Sequence, residues 1–369
     1  MLISIRKLVQ DDPTYRVVYE RARASRQRVT TVYDLSSRCN LFCEGCLYFN
    51  RDGGHPGNAD STTGEFDALF AAEKLRGVNY PVFGGAEPTL QPALIRQAAR
   101  HWNDGMIHTN GTRRIDAAIP FRILVSLWGG PELSRAWRGG DNYEKAMRQS
   151  VGDQRILMNY TVNAQNIDDI HRVVSDCAKR GLKITFQGFS PTADYTNYLK
   201  GDGDGRHDFI QSDSKDINLA MTPDKCAASI VAIGRAIDQF PETVVFTKAL
   251  ARWTFEGLAR SVKGLPDNAA PKECIAATDA RHRHYFVDGQ QAGEKSCGHG
   301  QVDCRTCKTY TFIFPSFFGY LSQSKGIRSA GEDYLKGHAV FDYVYNGHNR
   351  PDWRGIDRHA ESSASSKLA

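Results

Sequence analysis

Between residues 30 and 190, strand-like and helix-like segments alternate six times, and this alternation constrains the fold more than any single motif does. Strands separated by helices cannot pair through tight turns. They must lie parallel in one sheet, with the helices packed outside it. Short apolar runs place strands at 30–35, 80–83, 106–109, 123–127, 157–162 and 184–189. Helical patterns fill 92–102, 143–150 and 167–180. Thr62 and Glu65 form a capping box ahead of Phe66, Leu69 and Phe70, which share one helical face. Six such units form an α/β sheet closed or partly closed into a barrel, whose active site is built from loops at the strand C-termini.

The rhythm ends near Ser190. A polar stretch from 191 to 216, containing GDGDGRHD, precedes helical patterns at 223–240 and 243–262. Asp202, Asp204 and Asp208 lack the glycine and distal glutamate spacing of a calcium loop, so the stretch reads as a linker. The resulting division is an N-terminal extension (1–29), a core (30–215), a smaller second domain (216–345) and a low-complexity tail (346–369).

The 47 basic and 42 acidic residues are spread along the chain without a basic block, so nucleic acid is not an indicated partner. No apolar run reaches the roughly 20 residues that span a bilayer, and the N-terminus is charged too early for a signal peptide. The expectation is a cytoplasmic protein with no membrane partner. Nine cysteines are too few for a disulfide scaffold in a chain of this size, which directs attention to those that cluster.

Cys39, Cys43 and Cys46 form C-x3-C-x2-C directly after the first strand. Three thiolates on one loop can hold three irons of a cubane and leave the fourth open. A zinc site built from the same loop would need a fourth ligand. This cysteine loop, together with FGGAEPTL at 83–90, TNG at 109–111, SLWGG from Ser126 and NYTVN at 159–163, resembles the radical S-adenosylmethionine (SAM) superfamily over residues 30–190.

The resemblance implies a partial (β/α)6 radical SAM barrel with a [4Fe-4S] cluster on the three cysteines and SAM chelating the open iron. Gly84, Gly85 and Glu87 would lie at the methionine amino group. Asn110, Ser126 and Asn163 would stand where similar enzymes contact ribose, carboxylate and adenine. Where the superfamily has an aromatic residue before the third cysteine, this chain has Gly45, and Tyr48 or Phe49 is expected to take that place.

A second set, Cys274, Cys297, Cys304 and Cys307, brackets the hairpin-like stretch HYFVDGQQAGEKSC. It resembles the auxiliary [4Fe-4S] extensions called SPASM and twitch, although four cysteines also suit a zinc ribbon. His282, His284 and His299 read as solvated loop residues, and Cys177 as a core thiol. Cys226 begins a helix between barrel and second cluster, where its thiol is either a hydrogen-atom donor or a small buried residue.

Radical SAM chemistry needs a flavodoxin- or ferredoxin-type electron donor. The 29 residues before the first strand are fewer than the leader-binding domain of peptide maturases of this kind, which directs the expectation to a small polar substrate. Twitch-type enzymes suggest a sugar or aminocyclitol that is epimerised or dehydrogenated. The alternatives are a maturase acting on a ribosomally made peptide and, from another class, a non-catalytic iron-sulfur sensor.

Overall fold

One seven-stranded sheet organises the protein, a computed structural model describing residues 5–25, 27–46, 48, 63–201, 217–256, 274, 279–292, 302, 306–323 and 328–347. Helices α1 (Ile5–Asp11) and α2 (Pro13–Ser25) precede β1 (Thr30–Asp34). There follow α3 (Thr63–Leu75), β2 (Tyr80–Gly84), α4 (Pro92–His101), β3 (Met106–Thr109) and β4 (Arg122–Leu127). Next come α5 (Pro131–Arg138), α6 (Tyr143–Ser150), β5 (Ile156–Val162), α7 (Ile170–Lys179) and β6 (Ile184–Gly188). The six expected strands are all present, each beside its predecessor and all parallel, so the α/β class with one parallel sheet read from the sequence is the observed architecture.

Beyond β6 lie α8 (Ala193–Lys200), α9 (Pro223–Gln239), α10 (Lys248–Phe255), β7 (Arg283–Tyr285), α11 (Tyr310–Gln323) and α12 (Arg328–Asn346). Strand β7 returns to pair in parallel with β1, outside the sequential order. The helix expected from 243 begins instead at Lys248. Val244 bridges Ile184 of β6, and the Thr247 hydroxyl accepts from Leu250 N to cap the helix start. Thr62 of the expected capping box lies outside the described residues.

The two faces of the sheet separate by alternation along each strand. Tyr33, Phe83 and Ile107 point outward into a core with Phe66, Phe70, Leu94 and Trp102 of the covering helices. Asp34, Val82, Gly84 and His108 therefore face inward. At the N-terminal strand ends the interior is plugged by α12. Tyr80 Oη donates to Tyr345 O (2.7 Å), and the fully buried Arg122 guanidinium donates to Val344 O and Arg155 O and lies 5.1 Å from the Tyr343 ring. Helix α11 enters beside β5 and β6, with Tyr310 Oη 2.8 Å from Phe186 O and 3.3 Å from Asn159 Oδ1. Helices α11 and α12 share one apolar core with β4, β5 and β6.

Residues 110–121, which join β3 to β4, contain no helix. They leave an outer groove of about 880 Å3 over Ile123 and Val125, rimmed by Arg96, Arg113 and Arg114. Among the described residues no helix is long and apolar enough to cross a membrane.

Candidate functional site

The cysteine loop leaves β1 at its C-terminal end and is stitched at once to the glycine turn after β2. Leu35 N donates to Gly84 O (3.1 Å) and Ala86 N to Ser36 O (2.9 Å). Gly85 has φ +101°, and a Cβ there would lie 2.8 Å from Ser36 O, so only glycine allows these two loops to meet. From the far side, Phe42 N donates to Arg138 O and Glu44 N to Trp137 O, which anchors the middle of the loop on the end of α5.

Three donors surround the thiols. Leu41 N is 3.4 Å and Asn110 Nδ2 3.6 Å from Cys39 Sγ, and Arg138 Nε is 3.4 Å from Cys43 Sγ. Arg138 also donates through Nη1 to Ser126 O (2.5 Å), so β4 and α5 fix its direction. Burial pushes the Cys39 thiol up to about 11, the Leu41 amide opposing the shift. A thiolate at Cys39 therefore needs a cation, which an iron bound there would be. N–H donors converging on sulfur suit thiolate ligands, and these residues fit an iron-sulfur cluster. Among the described residues no three Cys, His, Asp or Glu gather around the position of a single ion. A cubane asks for a different spacing, because each thiolate binds its own iron.

Glu87, 1% exposed, caps the 3-10 turn Pro88–Leu90. Its Oε1 accepts from Thr89 N (3.0 Å), Thr89 Oγ1 (2.5 Å) and Thr109 Oγ1 (2.7 Å), and its Oε2 from Asn110 N (2.8 Å). The carboxylate thus locks the β2 turn to the end of β3 and sets Asn110 beside Cys39. Tyr48 Oη donates to Asp34 Oδ1 (3.1 Å) and accepts from Gly85 N (3.3 Å), while Asp34 Oδ2 lies 2.9 Å from His284 Nε2 on β7. Burial raises the Tyr48 phenol far above its ordinary value. At the end of β5, Asn163 is fully buried, with Nδ2 unpaired among the described residues.

The space beside Gly45 (φ +58°) is filled from elsewhere in the chain. A Cβ there would lie 3.0 Å from Phe189 Cζ and 3.3 Å from the Tyr195 ring, both from the segment after β6. Tyr195 Oη donates to Glu44 Oε1 (2.8 Å), closing this segment over the cysteine loop. The Tyr48 hydroxyl is engaged at Asp34 and Gly85, and Phe49 lies outside the described residues.

Phe189 also lines a largely apolar cavity of about 640 Å3 with Met221, Cys226, Ile230, Cys307 and Lys308. Cys226 and Cys307 are half-buried and Cys274 is buried. Cys297 and Cys304 lie outside the described residues. The structure thus brings Cys39, Cys43, Cys46, Tyr48, Gly84, Gly85, Glu87 and Asn110 into one connected site, with Ser126 joined through Arg138. Cys226 and Cys307 meet at the separate cavity. Cys177 is fully buried, and burial raises its thiol pKa.

Sequence reading passed over Asp34, Arg138, Phe189 and Tyr195, and it took His284, which is 1% exposed, for a solvated loop residue. A charged residue closing the apolar strand TTVYD was a signal for Asp34. The others become visible only through contacts across many residues of chain.

No model of a known protein family matches the chain, and no curated protein matches it in sequence. Solved structures do match in fold. Streptococcus suis SuiB superposes with a TM-score of 0.51 at 14% identity, over 89% of this chain and 67% of SuiB. SuiB bound to precursor peptide SuiA gives 0.50 at 13%, over 75% of this chain and 64% of SuiB. SuiB bound to S-adenosylmethionine gives 0.49 at 13%, over 72% and 59%. The chain thus spans about three fifths to two thirds of SuiB. At these identities the likeness is one of fold.

Proposed function

We propose that the protein is a radical SAM enzyme. The observation that carries this reading is the joining of the Cys39–Cys43–Cys46 loop to the Gly84–Gly85 turn by paired backbone hydrogen bonds, with Asn110 and Arg138 directed at the sulfurs. The superposition with SuiB supports the same fold. When bound, a [4Fe-4S] cluster and SAM would supply one-electron cleavage of SAM to methionine and a 5′-deoxyadenosyl radical, the electron coming from a flavodoxin- or ferredoxin-type donor.

The chain's own residues do the rest. Cys39, Cys43 and Cys46 hold the cluster, and the backbone of the Gly84–Gly85 turn meets the methionine end of SAM. Glu87 and Tyr48 act by holding that turn. Asn110 Nδ2, Ser126 and the unpaired Asn163 Nδ2 offer polar contacts at the ends of β3, β4 and β5. The substrate in this reading is a small polar molecule, sugar-like or aminocyclitol-like, that loses a hydrogen atom to the 5′ carbon.

Return of a hydrogen atom from the Cys226 thiol gives an epimer and leaves a thiyl radical, which one electron and one proton reset. Loss of one electron and one proton would give the dehydrogenated product instead; Cys274, Cys297, Cys304 and Cys307 would hold an auxiliary [4Fe-4S] cluster, which when bound would supply the electron acceptor. The placement of Cys226 and Cys307 on one cavity is consistent with either fate. A second reading, peptide modification, is favoured by the fold likeness to SuiB carrying precursor peptide SuiA and by the apolar lining of that cavity.

The test is anaerobic reconstitution, with about eight irons expected for two cubanes. Replacing Cys39, Cys43 and Cys46 together by Ala halves the iron and abolishes formation of 5′-deoxyadenosine. Cleavage of SAM by that variant would overturn the reading.

A further inference from the structure

Helices α3, α4, α5 with α6, and α7 carry the crossings between successive strands of β1 to β6, except at β3–β4, where residues 110–121 contain none. The groove left there, on the outer side of the sheet, has an apolar floor at Ile123 and Val125 and a charged rim. Four arginines and two aspartates line it, and no lysine or glutamate does. Arg155 is engaged with Asp153 (2.6 and 2.9 Å) and with the carbonyls of Ile115 and Ile119, so that pair is closed. Arg96, Arg113 and Arg114 are exposed, and their side chains have no hydrogen bond or ion pair among the described residues. Only the exposed Asp116 stands against them, so the rim is positive. Beside it Pro92 and Val151 are exposed as well. Unpaired arginine around apolar surface, with lysine and glutamate lacking, is the composition of a protein interface.

The groove ends against the cysteine loop. Its wall includes Thr89 and Thr109, whose hydroxyls donate to Glu87 Oε1 (2.5 and 2.7 Å). Next to Thr109 in the chain, Asn110 has Nδ2 3.6 Å from Cys39 Sγ. A molecule seated in the groove is therefore separated from Cys39 by a single residue, and it approaches from the helix side of the sheet.

We propose that this groove docks a small acidic one-electron carrier protein of the flavodoxin or ferredoxin type, with Arg96, Arg113 and Arg114 facing its carboxylates. Opposite charge on the two rims steers the encounter, and the uncovered apolar floor gives the contact a centre from which water is excluded. The proposal rests on the radical reading for its purpose. In the step it serves, the carrier is oxidised by one electron and a cluster on Cys39, Cys43 and Cys46 is reduced by one; no bond forms or breaks and no proton moves.

The test uses the reconstituted protein with an acidic flavodoxin. Calorimetry should show binding that weakens as salt rises from about 0.05 to about 0.3 M. Arg96→Glu/Arg113→Glu/Arg114→Glu should raise the Kd about tenfold at low salt and flatten that dependence. Three reversals placed elsewhere, Arg23→Glu/Lys225→Glu/Arg235→Glu, change the net charge equally and should leave the Kd near the parent's. Formation of 5′-deoxyadenosine driven by reduced flavodoxin should fall only in the groove variant, and formation driven by dithionite should be equal in all three proteins. Equal flavodoxin affinity in parent and groove variant would overturn the proposal. So would equal weakening by the distant reversals, or a matching loss with dithionite. Failure of the parent to cleave SAM with dithionite would instead overturn the radical reading, so the two failures are told apart.

Discussion

His284 Nε2 lies 2.9 Å from Asp34 Oδ2, with the two side chains 1% and 2% exposed. This contact ties a strand from the C-terminal third of the chain to the strand that delivers the cysteine loop. Through Tyr48 it reaches the amide of Gly85.

Removing one partner of such a buried pair is costly, because the other is left desolvated. His284→Ala should destabilise the protein by about 3 kcal/mol and weaken SAM binding, with iron content preserved where the variant folds. Denaturant melts and calorimetric SAM titration check both parts; unchanged SAM affinity would leave the contact purely structural.

The two glycines after β2 should respond differently. At Gly84 a Cβ would meet Tyr48 Oη at 3.4 Å, an ordinary contact, whereas at Gly85 it would press on Ser36 O at 2.8 Å in a left-handed conformation. Gly84→Ala should therefore bind SAM nearly normally, and Gly85→Val should not. The family resemblance puts Gly85 at the methionine amino group of SAM. The structure places the collision with the cysteine loop itself, so iron retention should also fall in Gly85→Val.

Glu87→Ala removes the acceptor for four donors at once. A loss of about 2–3 kcal/mol is expected from hydrogen bonds to a buried carboxylate, together with weaker SAM binding as Asn110 shifts. Thermal melts and SAM titration measure this, and a variant as stable as the parent would contradict the locking role.

His282, 8% exposed, has its pKa lowered from 6.5 to about 4, chiefly by burial and then by neighbouring His284. A histidine with a folded pKa below its unfolded value stabilises the fold above pH 6.5, and that contribution is lost as pH falls from 6.5 toward 4. Up to about 3 kcal/mol should disappear over this window, and His282→Gln should flatten the stability profile there.

Cys226→Ser should still form 5′-deoxyadenosine with substrate present, because SAM cleavage does not involve this thiol. It should lose solvent deuterium incorporation into the recovered substrate, since an O–H bond is too strong to give its hydrogen to a carbon radical. Undiminished incorporation would remove Cys226 from the reaction.

Local signals were enough for much of this. β1 to β6, α4 and α6 were legible because hydrophobic periodicity and Gly or Pro punctuation act over a few residues, and the cysteine loop and glycine turn because their spacing is local chemistry. Tertiary structure alone decided what spans the chain: the entry of β7 beside β1, the filling of the space at Gly45 by Phe189 and Tyr195, and the reach of Arg138 to Cys43. His284 looked like a loop histidine because its sequence neighbours are polar. Its burial is set by Asp34, 250 residues away in the chain, and by the parallel register of β1 with β7, neither of which local pattern encodes.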